Sequence, residues 1–166
     1  MGTITKNKAF TLIEMLVVSL IIGILASIAL PQYMRSTDQT KLSQAIISAR
    51  ALAEAQTRYN LATGKWAADM SELDINLDGG TYNSDKTYIN YSWGFCYTAC
   101  GYDNSCGGCA LRKGDLSVIV LYSPWSRPIK FCYATIGLER SQDLCRIATK
   151  RDTPSSVSGL YNIYRF

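Results

Sequence analysis

Four groups of residues in this 166-residue chain have types and spacings that could do chemistry. Glu14 is the only charged residue between Phe10 and Leu30, in FTLIEMLVVSLIIGILASIAL. A carboxylate in such a run is costly in lipid and calls for a cationic partner. Cys96, Cys100, Cys106 and Cys109 follow a C-x3-C-x5-C-x2-C pattern, with Cys132 and Cys145 further on. That pattern is compatible with disulfides or with a tetrahedral thiolate metal site, although its central spacing is short for a zinc knuckle. Asp74, Asn76 and Asp78-Gly79, with Asp85 eleven residues after Asp74, follow the start of a calcium loop. The last position is Asp rather than Glu and no second helix follows, so an ordinary acidic turn is the plainer reading. Finally, basic residues gather loosely at Arg112-Lys113, Arg127, Lys130, Arg140, Arg146, Lys150 and Arg151. They suit an anionic surface or simply a solvated one.

What is missing narrows the chemistry further. The chain has no histidine, no glycine-rich phosphate loop and no zinc-protease motif, so no enzyme and no cofactor is expected. A net charge of +4 is too weak and scattered to make nucleic acid the main partner.

The elements that must hold these groups begin with the apolar run. Sixteen of the 21 residues from Phe10 to Leu30 are apolar. As a helix they reach ~31 Å, the thickness of a bilayer's hydrocarbon core. Lys6 and Lys8 precede the run and favour a cytoplasmic N-terminus. A secretory signal peptide would have a shorter apolar core and a small-residue cleavage site after it. A plain signal anchor fits the length but leaves Glu14 unexplained, except as a carboxylate favouring the positive end of the helix dipole. Beyond Pro31, the residues Leu42, Ala45, Ile46, Ala49, Leu52, Ala53 and Tyr59 recur at spacings of three and four. That is one apolar helical face, with Gly64 as a natural stop. One helix from Phe10 to about Ala62 is expected, with weak points at Gly23 and Pro31.

The region from Trp66 onward changes period. Tyr88 to Tyr97 alternates, which predicts one half-buried strand with Ile89, Tyr91, Trp93, Phe95 and Tyr97 on one face. Further strands are expected at Leu116–Tyr122, Ile129–Ile136 and Leu160–Phe166, with a turn at Ser123–Ser126 and a short helical turn at Ser141–Ala148. A long helix followed by short antiparallel strands is an α+β class.

Ala9-Phe10-Thr11-Leu12-Ile13-Glu14, then the apolar run and Pro31, resembles the N-terminal signature of type IV prepilins and pseudopilins. The resemblance covers about 25 residues closely. It implies a lollipop fold, a long helix packed on a small antiparallel sheet with a disulfide-closed C-terminal loop. It also implies cleavage by a membrane prepilin peptidase between Ala9 and Phe10 and N-methylation of Phe10. The family usually carries Gly where this chain has Ala9. Removal of the leader would leave 157 residues and a side-chain charge of +2. By the same resemblance Glu14 would meet the freed Phe10 amine of a neighbouring subunit, and the helix would unwind between Gly23 and Pro31 in a filament.

The expected organisation is therefore a leader at 1–9, a membrane and filament-core segment at 10–30, an amphipathic helix at 31–64 and a β-rich head at 65–166. The head would lie outside the cytoplasm, where disulfides form. Pilins often close a C-terminal loop, which implies a Cys132–Cys145 bridge, with the other four cysteines pairing among themselves. The function implied is a structural subunit of a helical homo-oligomeric filament, assembled from the bacterial inner membrane by dedicated machinery for adhesion, motility or DNA uptake. A pseudopilin of a type II secretion system is the nearest alternative. A membrane-anchored binding module with a cysteine-held metal is the alternative of another class.

Overall fold

The computed structural model describes residues 10–100, 106–114, 116–123 and 129–166, without the side chains of residues 99, 100, 106, 113, 122, 123 and 129. The chain divides into two compact units, one up to Thr37 and one from Asp38 to Phe166. Helix α1 (Leu12–Thr63) is 52 residues long and continuous. It ends where Gly64 adopts φ 72° and its N–H donates to the Asn60 carbonyl at 2.8 Å. A left-handed glycine with that bond is a helix stop.

The first unit holds the apolar part of α1. Its large apolar side chains from Phe10 to Met34 are all exposed, the least being Val17 at 46%. Pro31 sits inside the helix, and the backbone stays helical through it and through Gly23. The unwinding expected there is not present in this single chain. An isolated apolar helix has no partner to compensate for lost backbone hydrogen bonds.

The second unit is built on an antiparallel sheet of order β1-β2-β3-β4-β5-β6-β8-β7. Its strands are β1 (Thr81–Tyr82), β2 (Tyr88–Tyr91), β3 (Gly94–Cys100), β4 (Cys106–Lys113), β5 (Leu116–Ser123), β6 (Ile129–Thr135), β7 (Ser156–Ser158) and β8 (Tyr161–Arg165). Helix α2 (Glu139–Thr149) connects β6 to the last hairpin. The α+β class is as expected, with more strands than the sequence pattern announced.

Two corrections have physical causes. The alternating run Tyr88–Tyr97 is a hairpin, with Tyr91 opposite Gly94 across the turn Ser92-Trp93. An even-length turn reverses the chain and pairs Ile89 with Cys96. Ile89, Cys96 and Thr98 are therefore buried together, while Phe95 and Tyr97 stand on the other face with Tyr88. Strand β4 was not expected at all, because Cys-Gly-Gly-Cys reads as a loop. Its glycines answer to packing on opposite sides. A Cβ on Gly107 would lie 2.8 Å from the Leu52 Cβ and 3.0 Å from the Ala53 nitrogen. A Cβ on Gly108 would lie 2.6 Å from both Leu121 and the Tyr97 hydroxyl. Only glycine lets β4 lie this close to α1.

The core of this unit joins Leu42, Ala45, Ala49 and Leu52 of α1 to Ile89, Leu111, Val118, Val120 and Tyr164 of the sheet. Small side chains on α1 are what permit the close approach. Cys96 is bonded to Cys109 across β3 and β4, and Cys132 to Cys145 between β6 and α2. All four are 0% exposed.

Candidate functional site

The N-terminal stem of α1 carries the residues of the methylation-type signature, from Phe10 to Pro31. Thr11-Leu12-Ile13-Glu14 forms a reciprocal cap. The Thr11 N–H and hydroxyl donate to Glu14 Oε2 at 2.8 and 2.7 Å, and the Glu14 N–H donates to Thr11 Oγ1 at 3.3 Å. This capping box satisfies helix-start donors that would otherwise face apolar surroundings. Glu14 Oε1 has no partner among the described residues. Phe10 beside it is 69% exposed. Ala9 lies outside the described residues.

Polar side chains further along the stem are satisfied locally. The Ser19 hydroxyl donates to the Met15 carbonyl at 2.8 Å and Ser27 to Ile24 at 2.7 Å. Hydroxyls closed onto their own helix suit an apolar medium, where an open one would cost free energy. α1 is long and apolar enough to cross a membrane, and no part of its apolar window is buried within the molecule.

The prokaryotic N-terminal methylation motif matches residues 4–30. Over 71 residues, 43% of each chain, the sequence is 47% identical to a type IV major pilin protein, PilE1, of Neisseria gonorrhoeae. Over the matched residues the chain is similar to type IV major pilins. A fimbrial protein of Neisseria meningitidis serogroup A is 43% identical over 71 residues, 43% of this chain and 42% of the relative. A fimbrial protein of Pseudomonas aeruginosa is 50% identical over 74 residues, 45% and 48% of the two chains. The chain thus spans less than half the length of each of these relatives.

The other residues singled out by sequence fall as follows. Cys96 and Cys109 are disulfide-bonded, so the four-thiolate metal reading does not hold. Cys100 and Cys106 are opposite one another on β3 and β4, and their side chains lie outside the description. The acidic-loop residues are engaged with protein partners. Asp74 accepts two bonds from Arg58, at 2.6 and 2.7 Å, which hold its carboxyl below the ordinary carboxylate range. Asn76 donates to Asp78 at 3.2 Å, and Asp85 accepts from the Ser84 hydroxyl at 2.9 Å. Among the described residues no three His, Cys, Asp or Glu side chains cluster together. The basic residues are also partly committed. Arg140 binds Asp38, Arg146 binds Asp143, and Arg151 donates to the Arg165 carbonyl at 2.7 Å.

Sequence reasoning missed two buried polar residues that hold the second unit together. Asp38 is 3% exposed and pairs with Arg140 of α2 at 2.6 Å, with Lys41 at 3.9 Å. Gln56 is 0% exposed. Its amide donates to the Ala67 and Thr98 carbonyls at 3.1 Å each and accepts from the Ala67 N–H at 2.9 Å. Its position three and four residues beyond Ala53 and Leu52 was the available signal. A polar residue on an apolar helical face marks a buried hydrogen-bonding role.

Proposed function

We propose that this chain is the structural subunit of a type IV pilus-like filament and performs no catalysis itself. The observation carrying this reading is the stem: a helix apolar on every side, exposed throughout, and interrupted by one capped carboxylate within a methylation motif. So much exposed apolar surface requires lipid or other copies of itself around it. The parts of the reading are a leader at 1–9, cut between Ala9 and Phe10, and N-methylation of Phe10. A stem at 10–30 and an amphipathic half at 31–64 then carry a head at 65–166. The subunit would wait in the bacterial inner membrane with its head outside the cytoplasm. Assembly machinery would then add it to an extracellular helical homo-oligomer.

Glu14 can serve the cap and the assembly together. Oε2 is used by Thr11, which leaves Oε1 to accept the freed Phe10 amine of a neighbouring subunit. In a dry helical bundle that pair selects one axial stagger, because an unmatched buried charge is strongly unfavourable. Melting between Gly23 and Pro31 would belong to the packed filament. Pilins and fimbrial proteins among the relatives favour this reading over a secretion pseudopilin. The test is intact mass and N-terminal sequencing of the membrane form, followed by shearing of cells. A start at N-methyl-Phe10 and filaments containing the chain are expected. An uncut chain in cells with active prepilin peptidase would sink the proposal. A processed chain that shear never releases would move it to the pseudopilin class.

A further inference from the structure

The acidic loop, at residues 76–79, lines one wall of a groove in the second unit. The opposite wall is α1, at Gln44 and Ser48, and the floor is the β2–β3 turn with Tyr91 and Trp93. Tyr91 and Trp93 are stacked, with ring centroids 4.7 Å apart and planes at 5°. Trp93 is 8% exposed, so the platform is held by the core rather than swinging in solvent. The loop wall is also held in place. The Tyr82 hydroxyl donates to Asn76 Oδ1 at 3.0 Å and accepts from the Leu77 N–H at 3.4 Å, and Asn76 in turn donates to Asp78.

Several polar groups around this groove have no protein partner among the described residues. They are the Gln44 amide, the Ser48 and Tyr91 hydroxyls, the Trp93 indole N–H and Asp78 Oδ2. Burial, with Tyr82 and Asp78 nearby, holds the Tyr91 phenol above its ordinary value, so it remains a donor. The unused groups include both donors and acceptors. A cationic ligand would satisfy only the acceptors. An anionic ligand would meet Asp78, with no Lys or Arg lining the groove among the described residues. A purely apolar ligand would leave the polar groups unpaired at a cost. A ligand with an apolar face for the aromatic floor and hydroxyls that both donate and accept meets all the terms.

We propose that this groove binds one neutral saccharide unit, with a ring face against the outer side of Tyr91, which the buried Trp93 backs from behind, and hydroxyls bonded to Asp78, Gln44 and Ser48. The site is separate from the stem. A chain that never polymerises would still show it, so its failure and failure of the filament reading are distinguishable.

The test uses the full chain in a zwitterionic detergent without sugar headgroups. Saturation-transfer NMR is recorded with methyl glycosides of glucose, galactose and N-acetylglucosamine, and with sialic acid. At least one neutral glycoside should bind. Asp78→Ala should weaken it about tenfold or more, as loss of a charge-assisted bond does, and Gln44→Ala about threefold to tenfold. Both residues are exposed, and unchanged thermal melting of the head will show that the variants fold. Absence of transfer to every neutral glycoside overturns the proposal. So does binding confined to sialic acid, or binding that survives Asp78→Ala unchanged.

Discussion

The two parts of α1 handle polarity in opposite ways. In the stem, side-chain hydrogen bonds close within four residues: Thr11 to Glu14, Ser19 to Met15, Ser27 to Ile24. From Asp38 onward such local bonds continue, as from Ser43 to Gln39 and Thr57 to Ala53, but others reach across the chain, from Gln56 to Thr98 and from Asp38 to Arg140, 42 and 102 residues away. The stem also leaves its apolar side chains exposed, while the later half hides Leu42, Ala45, Ala49 and Leu52. A helix with only local bonds carries no information about its neighbours, so its surroundings must come from outside the chain. A helix with long-range bonds is placed by the fold it belongs to. Cooperative loss of structure should therefore be confined to the second part.

The strongest way to break this contrast is to open the disulfides. Each closes a loop with a sequence separation of 13 and should contribute about 3 kcal/mol through the unfolded chain. Reduction, or Cys132→Ser with Cys145→Ser, should lower the head's denaturant midpoint sharply. Helical circular dichroism from the stem in detergent should persist. Loss of both signals together would mean the two parts are not independent.

Gln56→Leu comes next. It strands the Ala67 N–H and two carbonyls in the core and should cost about 2–3 kcal/mol by chemical denaturation. Ser19→Ala in the stem, which removes only a local bond, should change the head's stability by less than ~0.5 kcal/mol.

Thr11→Ala should cost about 1 kcal/mol of helix start and speed amide exchange only in the first turn after Leu12. A shift in the head's melting would contradict the local character of the stem.

The smallest effect concerns Arg58 and Asp74. The folded carboxyl lies below its ordinary value because of Arg58, so the pair's contribution is present above the ordinary carboxylate range. It is lost as pH falls through the depressed folded value. Because both side chains are about half exposed, the stability change should be slight. Arg58→Ala should raise the Asp74 carboxyl toward its ordinary value in an NMR titration, with little change in melting.

Much of this was legible in the residues. Helix α1, the exposed stem, the Gly64 stop and the inner face from Leu42 to Tyr59 follow from spacing within one turn or two. The cap from Thr11 to Glu14 is a motif four residues long. The hairpin inside Tyr88–Tyr97 was not legible, because both arms alternate and nothing in Ser92-Trp93 announces a turn. Strand β4 was hidden by its own glycines, while the place of Gln56 on an apolar face marked a buried role but not its partners Ala67 and Thr98.

Sequence alone determined the stem, since a helix repeats every 3.6 residues and its demands on lipid or partners depend only on composition along that short period. Tertiary structure decided the rest. Which face Cys96 and Phe95 take depends on a turn that flips parity, and Gly107 is needed only because Leu52 lies beneath it. The groove over Tyr91 and Trp93 exists because a loop, a helix and a hairpin meet there. Residues this far apart in sequence share no local pattern, and only packing brings Gln44, Asp78 and Trp93 around one hollow.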